Sequence, residues 1–123
     1  MRSPVEIAVD TYVQACCERE PARRAQLFEL CLAGDVRMVT RSREVRGRAA
    51  FTAYLEPFLA DPRLLRIRVI SVVDARGTTF RYRAVAEMRD GTRPETFEAG
   101  EIDASGQISL ILTFPGPLAD AEA

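Results

Sequence analysis

Apolar residues recur at helical spacing through the first half of the chain. A first helix is predicted to start at Ser3-Pro4, because the Ser3 hydroxyl can accept from a free backbone amide and Pro4 has no amide to satisfy. A second helix should start at Pro21 and end at Gly34, since glycine readily adopts the left-handed conformation common at helix ends. The apolar stripes of these two helices are Val5, Val9, Tyr12, Val13 and Cys16, and then Leu27, Phe28 and Cys31.

A third helix is expected after Gly47, with Ala50, Phe51, Tyr54 and Leu55 on one face. Pro57 lacks the backbone N–H that a helix interior needs, so it should break or kink this helix.

Alternation of apolar and polar residues predicts strands, first over residues 35–40 and then from Leu64 to Phe114. Asp90-Gly91 predicts a two-residue hairpin turn between two of the later strands. Such a turn would place Arg83 directly opposite Glu98. Four late strands in a meander, preceded by three helices, predict an α+β domain whose sheet curls around the helices. We expect a single domain over residues 1–117 and a polar tail over residues 118–123.

The charge balance argues against a nucleic-acid partner. The 123 residues carry 17 basic and 18 acidic side chains, which leaves no basic excess to attract phosphates. No apolar stretch is long enough for a membrane helix, and the N-terminus lacks the basic-then-apolar order of a secretory signal. We therefore expect a cytoplasmic protein without a membrane partner.

The residue types that the chain lacks exclude several kinds of catalytic and metal-binding site. The chain contains no lysine, histidine, asparagine or tryptophan, which excludes Schiff-base lysines, histidine-activated nucleophiles and imidazole metal sites. Its three cysteines have no C-x-x-C spacing, and no glycine-rich phosphate loop is present. We expect neither a metal nor a cofactor.

A whole-chain pattern spans residues 4–117 and includes Tyr12-Val13, Leu27-Phe28, Gly34-Asp35-Val36, the run 47–51, the run 100–108 and the ending 114–117. Through this pattern the sequence resembles the NTF2-like superfamily, in particular small SnoaL-like and ketosteroid-isomerase-like proteins. The resemblance implies a cone of three N-terminal helices packed on a strongly curved, mostly antiparallel sheet. It also implies an apolar pocket for a small hydrophobic molecule and a homodimer formed through the outer face of the sheet.

The resemblance also suggests site residues. Isomerase-like members use a carboxylate base, while a tyrosine and a protonated acid donate hydrogen bonds to the developing oxyanion. Tyr12 matches that tyrosine. A count back from the glycine turn at residue 106 places Glu98 at the acid, whereas a count from the hairpin turn places Gly100 there. The base position is Thr40, whose hydroxyl has too high a pKa to relay protons near neutrality.

The chain departs from one further family pattern and is similar to another. The aspartate that polyketide-cyclase-like members carry on the last strand has no counterpart in residues 111–114. Arg83 beside Glu98 is similar to the arginine held between carboxylates in epoxide-hydrolase-like members.

The face of the sheet that lines the pocket decides between two interpretations. If Phe80, Tyr82 and Ala84 face inward, Glu98 and Arg83 form an exposed cross-strand ion pair. If Arg83 and Glu98 face inward, a buried carboxyl lies in an apolar cavity, and a flat outer face of small residues would suit a dimer. Tyr12 can likewise be a core residue or a hydrogen-bond donor in the site.

Two functions follow as hypotheses. The first is a cofactor-free isomerase or cyclase acting on an apolar carbonyl compound, with Glu98, Tyr12 and Arg83 as catalytic residues. The second is a noncatalytic homodimeric binding or carrier module, which the threonine at position 40 and the missing aspartate favour. The predicted ligand contacts are Cys16, Phe28, Met38, Thr40, Phe51, Tyr54, Val85, Leu112 and Phe114.

Overall fold

The helical layer consists of α1 (Pro4–Cys17), α2 (Pro21–Cys31) and α3 (Arg48–Leu59). In the computed structural model, which describes residues 2–122, the predicted helix starts are confirmed. The Ser3 hydroxyl accepts from the Glu6 N–H at 3.2 Å, and the Glu20 carboxylate caps α2 ahead of Pro21. Met1 and Ala123, the first residue of the predicted domain and the last of the predicted tail, lie outside the described residues.

One predicted helix end is wrong. The second helix ends at Cys31 because Leu32 is already extended and starts a strand, so Gly34 lies inside that strand and caps nothing. Pro57, which was expected to break or kink the third helix, does not break α3, whose last residue is Leu59. Proline here lies in the last turn, where few helical hydrogen bonds follow it, and the Arg19 guanidinium donates to the carbonyl oxygen of Leu59 at 2.8 Å.

The strands of the sheet layer are β1 (Leu32–Val39), β2 (Glu44–Arg46), β3 (Leu64–Val69), β4 (Asp74–Arg76), β5 (Thr79–Met88), β6 (Glu95–Ile102) and β7 (Ile108–Pro115). They follow the order β2-β1-β7-β6-β5-β3, and β4 pairs with β5. The predicted late meander is present, and the chain has the predicted α+β architecture. The parallel pairing of β1 with β7 and the short strands β2 and β4 were not predicted.

The hairpin between β5 and β6 has a three-residue loop, one residue longer than predicted. The Met88 N–H donates to the Thr92 carbonyl oxygen at 3.0 Å, so residues 89–91 form the loop. Only Gly91 in this loop has a positive φ, of 89°, whereas a two-residue turn of the predicted type would also need one at Asp90. The Asp90 carboxylate instead accepts from the Thr92 N–H at 2.9 Å.

This extra loop residue shifts the register. Tyr82 lies opposite Glu98 and Arg83 lies opposite Phe97, so the predicted pairing of Arg83 with Glu98 is wrong. Because side chains alternate between faces, Glu98 shares the inner face with Tyr82 and Ala84. The predicted outer face of small residues is therefore also wrong, since Ala84 is buried against the helices.

The core lies between the helices and the inner face of the sheet. Tyr12, Phe28 and Phe51 meet there, with ring centroids 6.1 to 6.3 Å apart. Gly100 on β6 permits a close approach, because a Cβ there would collide with the Leu110 carbonyl oxygen and lie 2.7 Å from Cζ of Phe80. Among residues 2–122, no helix combines the length and apolarity required to cross a membrane.

Candidate active site

A cavity of about 630 Å³ lies between α1, α3 and the inner face of the sheet. This volume falls within the roughly 300–1,000 Å³ of typical small-molecule sites. Most of the lining is apolar, which favours an apolar ligand. All three tyrosines of the chain contribute to it. The principal wall residues are Tyr12, Val13 and Cys16 from α1; Tyr54, Leu55, Pro57 and Phe58 from α3; and Met38, Ile67, Tyr82, Ala84, Thr96, Glu98 and Thr113 from the sheet.

Glu98 is the buried carboxyl of this cavity. It lies in the middle of β6, between Tyr82 on β5 and Thr113 on β7, and is 9% exposed. The Thr113 hydroxyl donates to Oε2 of Glu98 at 2.7 Å. Burial raises the pKa of Glu98 from 4.5 to about 7, and the hydroxyls of Thr113 and Thr96 oppose that rise in part.

Arg83 does not take part in this arrangement. The register places it on the outer face, where Nη2 donates to Oε1 of Glu95 at 2.9 Å. The expected catalytic pair of Arg83 with Glu98 is therefore wrong. Within the described residues no arginine is paired with Glu98, so no cation offsets the desolvation of its carboxylate.

Two phenols share the cavity with Glu98. Tyr12 is 5% exposed and Tyr82 is 3% exposed. Burial raises the pKa of both hydroxyls well above the usual value, and the nearby Glu98 carboxylate raises them further. Both phenols therefore stay protonated near neutral pH and can donate hydrogen bonds to a ligand. No direct hydrogen bond joins Tyr12 to Glu98 in the part of the chain that the structure describes.

Cys16 is a neutral thiol in the cavity wall. Burial raises its pKa above the ordinary range, and the Glu98 carboxylate adds to that rise. A protonated, buried thiol is a poor nucleophile, so the site is not built for cysteine chemistry. Across residues 2–122, no three histidine, cysteine, aspartate or glutamate side chains group closely enough to hold a metal ion.

The other predicted ligand contacts divide between three locations. Cys16, Met38, Thr40, Tyr54 and Val85 lie at the cavity. Phe28 and Phe51 are core residues packed behind Tyr12, and Leu112 and Phe114 lie on the outer face, so these four do not line the cavity.

The placement of the last strand follows from its pairing with β6. Thr113 is opposite the inward-facing Glu98, so its neighbours Leu112 and Phe114 must face outward. Phe114 is 53% exposed, and its ring contacts Phe97 with centroids 6.4 Å apart.

Thr40 has a structural role at the cavity. Its hydroxyl donates to the Arg43 carbonyl oxygen at 3.2 Å and accepts from the Arg43 N–H at 3.3 Å, which closes the turn between β1 and β2. This engagement agrees with the expectation that Thr40 does not replace the missing base.

Two residues of the site were missed from the sequence. Thr113 was noticed only as part of a segment without aspartate, and Tyr82 only as an apolar strand position. Their alternation along β5 and β7 was visible, but the partners across the sheet depend on a hairpin register that the turn motif predicted incorrectly.

The three-helix layer, the curved mixed sheet and the cavity between them are those of an NTF2-like fold. No protein-family model matches the sequence, and no curated protein matches it.

Several solved structures share this fold at low sequence identity. A protein of the SnoaL-like family from Agrobacterium tumefaciens superimposes with a TM-score of 0.82 at 19% identity, covering 94% of this chain and 100% of that one. RV0760c from Mycobacterium tuberculosis, solved in complex with estradiol-17β-hemisuccinate, has a TM-score of 0.68 at 14% identity, covering 91% and 93%. A computationally designed 17-OHP binder has a TM-score of 0.71 at 17% identity, covering 92% and 91%.

Proposed function

We propose that this protein binds a small apolar carbonyl compound in the cavity and catalyses a proton transfer on it, as a cofactor-free isomerase or cyclase. One observation carries the proposal: Glu98 is a carboxyl with a pKa of about 7 whose surroundings are apolar walls, two neutral phenols and two hydroxyls. Elevated carboxyl pKa values in a cleft are typical of general acid–base groups.

The chemistry requires only groups that the cavity holds. Near pH 7 the Glu98 carboxyl is present in both forms, so its carboxylate can take a proton from the carbon next to a carbonyl. The electron pair of the broken C–H bond moves to the carbonyl oxygen as an enolate. A hydrogen bond from the Tyr12 or Tyr82 hydroxyl would stabilise that oxygen. Where the substrate has a C=C bond next to the carbon that lost the proton, the enolate is a dienolate. Glu98 then returns the same proton to the far carbon of the dienolate, the C=C bond shifts into conjugation, and the carbonyl re-forms.

The ligand class is supported by the cavity lining and by the solved structures of the same fold. RV0760c was solved with a steroid ester, and the designed protein was made to bind 17-OHP. Both are small molecules with large apolar bodies, which agrees with the apolar walls of this cavity. We therefore propose an apolar ligand of comparable size for this chain.

Proton exchange tests the catalytic proposal without knowledge of the natural substrate. We expect the protein to accelerate exchange of the protons next to the carbonyl of 2-tetralone in deuterated water, followed by proton NMR. Glu98→Gln should abolish the acceleration, because an amide cannot accept the proton. Glu101→Gln, which changes an exposed carboxylate on the same strand, is the matched control and should leave the rate unchanged. Equal rates in Glu98→Gln and the unaltered protein would contradict the proposal.

The second candidate is a noncatalytic binding or carrier module. It is favoured by the lack of a direct hydrogen bond between Glu98 and Tyr12 in the described chain and by the Thr40 hydroxyl, which is occupied in a turn. Binding can be followed by tyrosine fluorescence, since the chain has no tryptophan and its tyrosines line the cavity. A carrier would bind 2-tetralone equally in the unaltered protein and in Glu98→Gln, and neither would exchange its protons.

A homodimer formed through the outer face of the sheet is also part of the proposal. Phe114, Phe97 and Leu112 form an apolar strip on that face, and burial of such a strip is a common driving force for association. Phe114→Glu should convert a dimer to a monomer in light scattering. A monomeric unaltered protein would contradict this proposal. A cytoplasmic location remains proposed, and the three free thiols agree with a reducing compartment.

A further inference from the structure

The arginines of this protein are almost all held by other groups. Their guanidinium groups donate either to carboxylates or to backbone carbonyl oxygens. Across residues 2–122, the exceptions are Arg41, Arg43 and Arg93, whose guanidinium groups have no such partner. Because arginine readily forms paired hydrogen bonds with anions, these three positions need a separate explanation.

All three exceptions lie in two connections at the same end of the sheet, residues 40–43 between β1 and β2 and residues 89–94 between β5 and β6. We call this end of the cavity its mouth. Arg41 and Ser42 line the cavity from the turn between β1 and β2, while Pro94 and Glu95 line it from the β5–β6 hairpin, directly after Arg93. Arg43 lies over the ring of Tyr54, a wall residue, with its guanidinium carbon 5.5 Å from the ring centroid.

The carboxylates nearest these arginines in the chain already have partners, including Asp90, which accepts from the Thr92 N–H at 2.9 Å. Glu95 accepts from Arg83 at 2.9 Å, and Glu44 pairs with Arg37 at 2.8 Å and with Arg46 at 3.2 Å. Glu98 lies inside the cavity, where it accepts from the Thr113 hydroxyl. Within the described chain, Arg41, Arg43 and Arg93 outnumber the one carboxylate of these loops that has no arginine partner, Asp90. The mouth therefore carries a net positive charge beside an apolar interior, an arrangement that matches a molecule with an apolar body and one negatively charged end.

We propose that the ligand of this cavity is such an amphipathic anion, with its apolar body against the cavity walls and its anionic group bound by Arg41 and Arg43 at the mouth, assisted by the charge of Arg93. This inference rests on the proposed function, because it assigns the substrate class of the same cavity. A carboxylate, sulfonate or phosphate group would all satisfy the arginines. The mouth residues determine specificity and take no part in the proton transfer at Glu98.

Two fluorescent probes that share one apolar body test the proposal. 1-Anilinonaphthalene-8-sulfonate carries an anionic group that N-phenyl-1-naphthylamine lacks, and each brightens in an apolar site. We expect the sulfonate to bind more tightly than the neutral probe, and 0.5 M NaCl to weaken only the sulfonate. Arg41→Gln and Arg43→Gln should each weaken binding of the sulfonate probe by about two- to fivefold, which corresponds to the free energy of an exposed ion pair. Binding of the neutral probe should not change.

Two controls separate the mouth from general effects. Arg76→Gln removes the same charge from an exposed arginine on β4 and should leave both affinities unchanged. Ala86→Phe adds a ring to the cavity wall and should weaken both probes, which shows that they bind inside the cavity. Inorganic phosphate at the probe concentration should not displace the sulfonate, because a free anion lacks the apolar body.

Specific outcomes would overturn this inference. Equal affinity for the two probes, or an equal loss in Arg76→Gln and Arg41→Gln, would mean that the mouth does not select an anion. Displacement by equimolar phosphate would mean that the arginines bind free anions. In each of these cases, cavity binding of the neutral probe would leave the proposed function standing. If neither probe binds, or if Ala86→Phe weakens the binding of neither probe, the cavity does not bind apolar ligands, and the proposed function fails as well.

Discussion

Replacing Glu98 by glutamine should change how the stability of this protein depends on pH. Glutamine has nearly the same shape and can still accept from the Thr113 hydroxyl, which lies 2.7 Å from Oε2 of Glu98. It cannot ionise, so the substitution removes only the cost of a buried negative charge. The protein is suited to this test because it has no histidine, the side chain that ordinarily titrates between pH 5 and 8.

The magnitude follows from the pKa of Glu98, which is about 7 in the folded protein against 4.5 for a solvated glutamate. Below pH 4.5 the carboxyl is protonated in both states and contributes nothing. As the pH rises from 4.5 to 7, the unfolded state loses its proton first, so stability falls by about 1.4 kcal/mol per pH unit. Above pH 7 both states are ionised, and the folded state has lost about 3 kcal/mol through this group.

Urea denaturation followed by far-UV circular dichroism at pH 5, 6, 7 and 8 would measure this effect. The unaltered protein should lose stability across the series, while Glu98→Gln should change little and be the more stable of the two at pH 8. Glu101→Gln, the exposed control on the same strand, should keep the slope of the unaltered protein. A parallel response of the unaltered protein and Glu98→Gln would refute the assignment of a buried, desolvated carboxyl.

Three further substitutions test structural contacts in the helices and the sheet that form the cavity, with the free energy of unfolding measured by urea denaturation. Gly100→Ala should cost about 2–4 kcal/mol, because its Cβ would collide with the backbone of β7 and lie 2.7 Å from Phe80; a near-neutral result would show that the two strands separate easily. Glu56→Ala should cost about 2 kcal/mol, because it removes the carboxylate 2.6 Å from the buried Arg24 guanidinium, and no loss would mean that water replaces it. Ser3→Ala should cost about 1 kcal/mol through the lost helix cap, whereas Ser3→Thr should cost less.

Local patterns in the chain were sufficient to predict most of the secondary structure. Ser3-Pro4 and Pro21 start their helices because capping and a missing amide depend only on neighbouring residues. The end of α2 was wrong because the pairing of Leu32 with Ile108, more than seventy residues away, extends the chain before the glycine. The short strands β2 and β4 were missed because they depend on pairing with longer strands more than on their own composition.

The residues of the candidate site also fall into two groups: those that the sequence identified and those whose position depends on the register of the sheet. Glu98 and Tyr12 were selected from a whole-chain resemblance, and the structure brings both to one cavity. Arg83 was selected only through a hairpin register, and the three-residue loop moved it to the other face. Phe114 was predicted to contact the ligand, but its alternation with the inward-facing Thr113 directs it outward.

The sequence by itself determined the order of the three helices and the longer strands, the helix starts and the restriction to carboxyl, phenol and arginine chemistry, since these follow from nearby residues and from composition. Only the tertiary structure decided which side of the sheet Glu98 occupies and therefore its desolvation and its pKa. The physical reason is the two-residue period of a strand: one additional residue in the loop at Gly91 shifts the pairing by one position and changes which side chains share the interior.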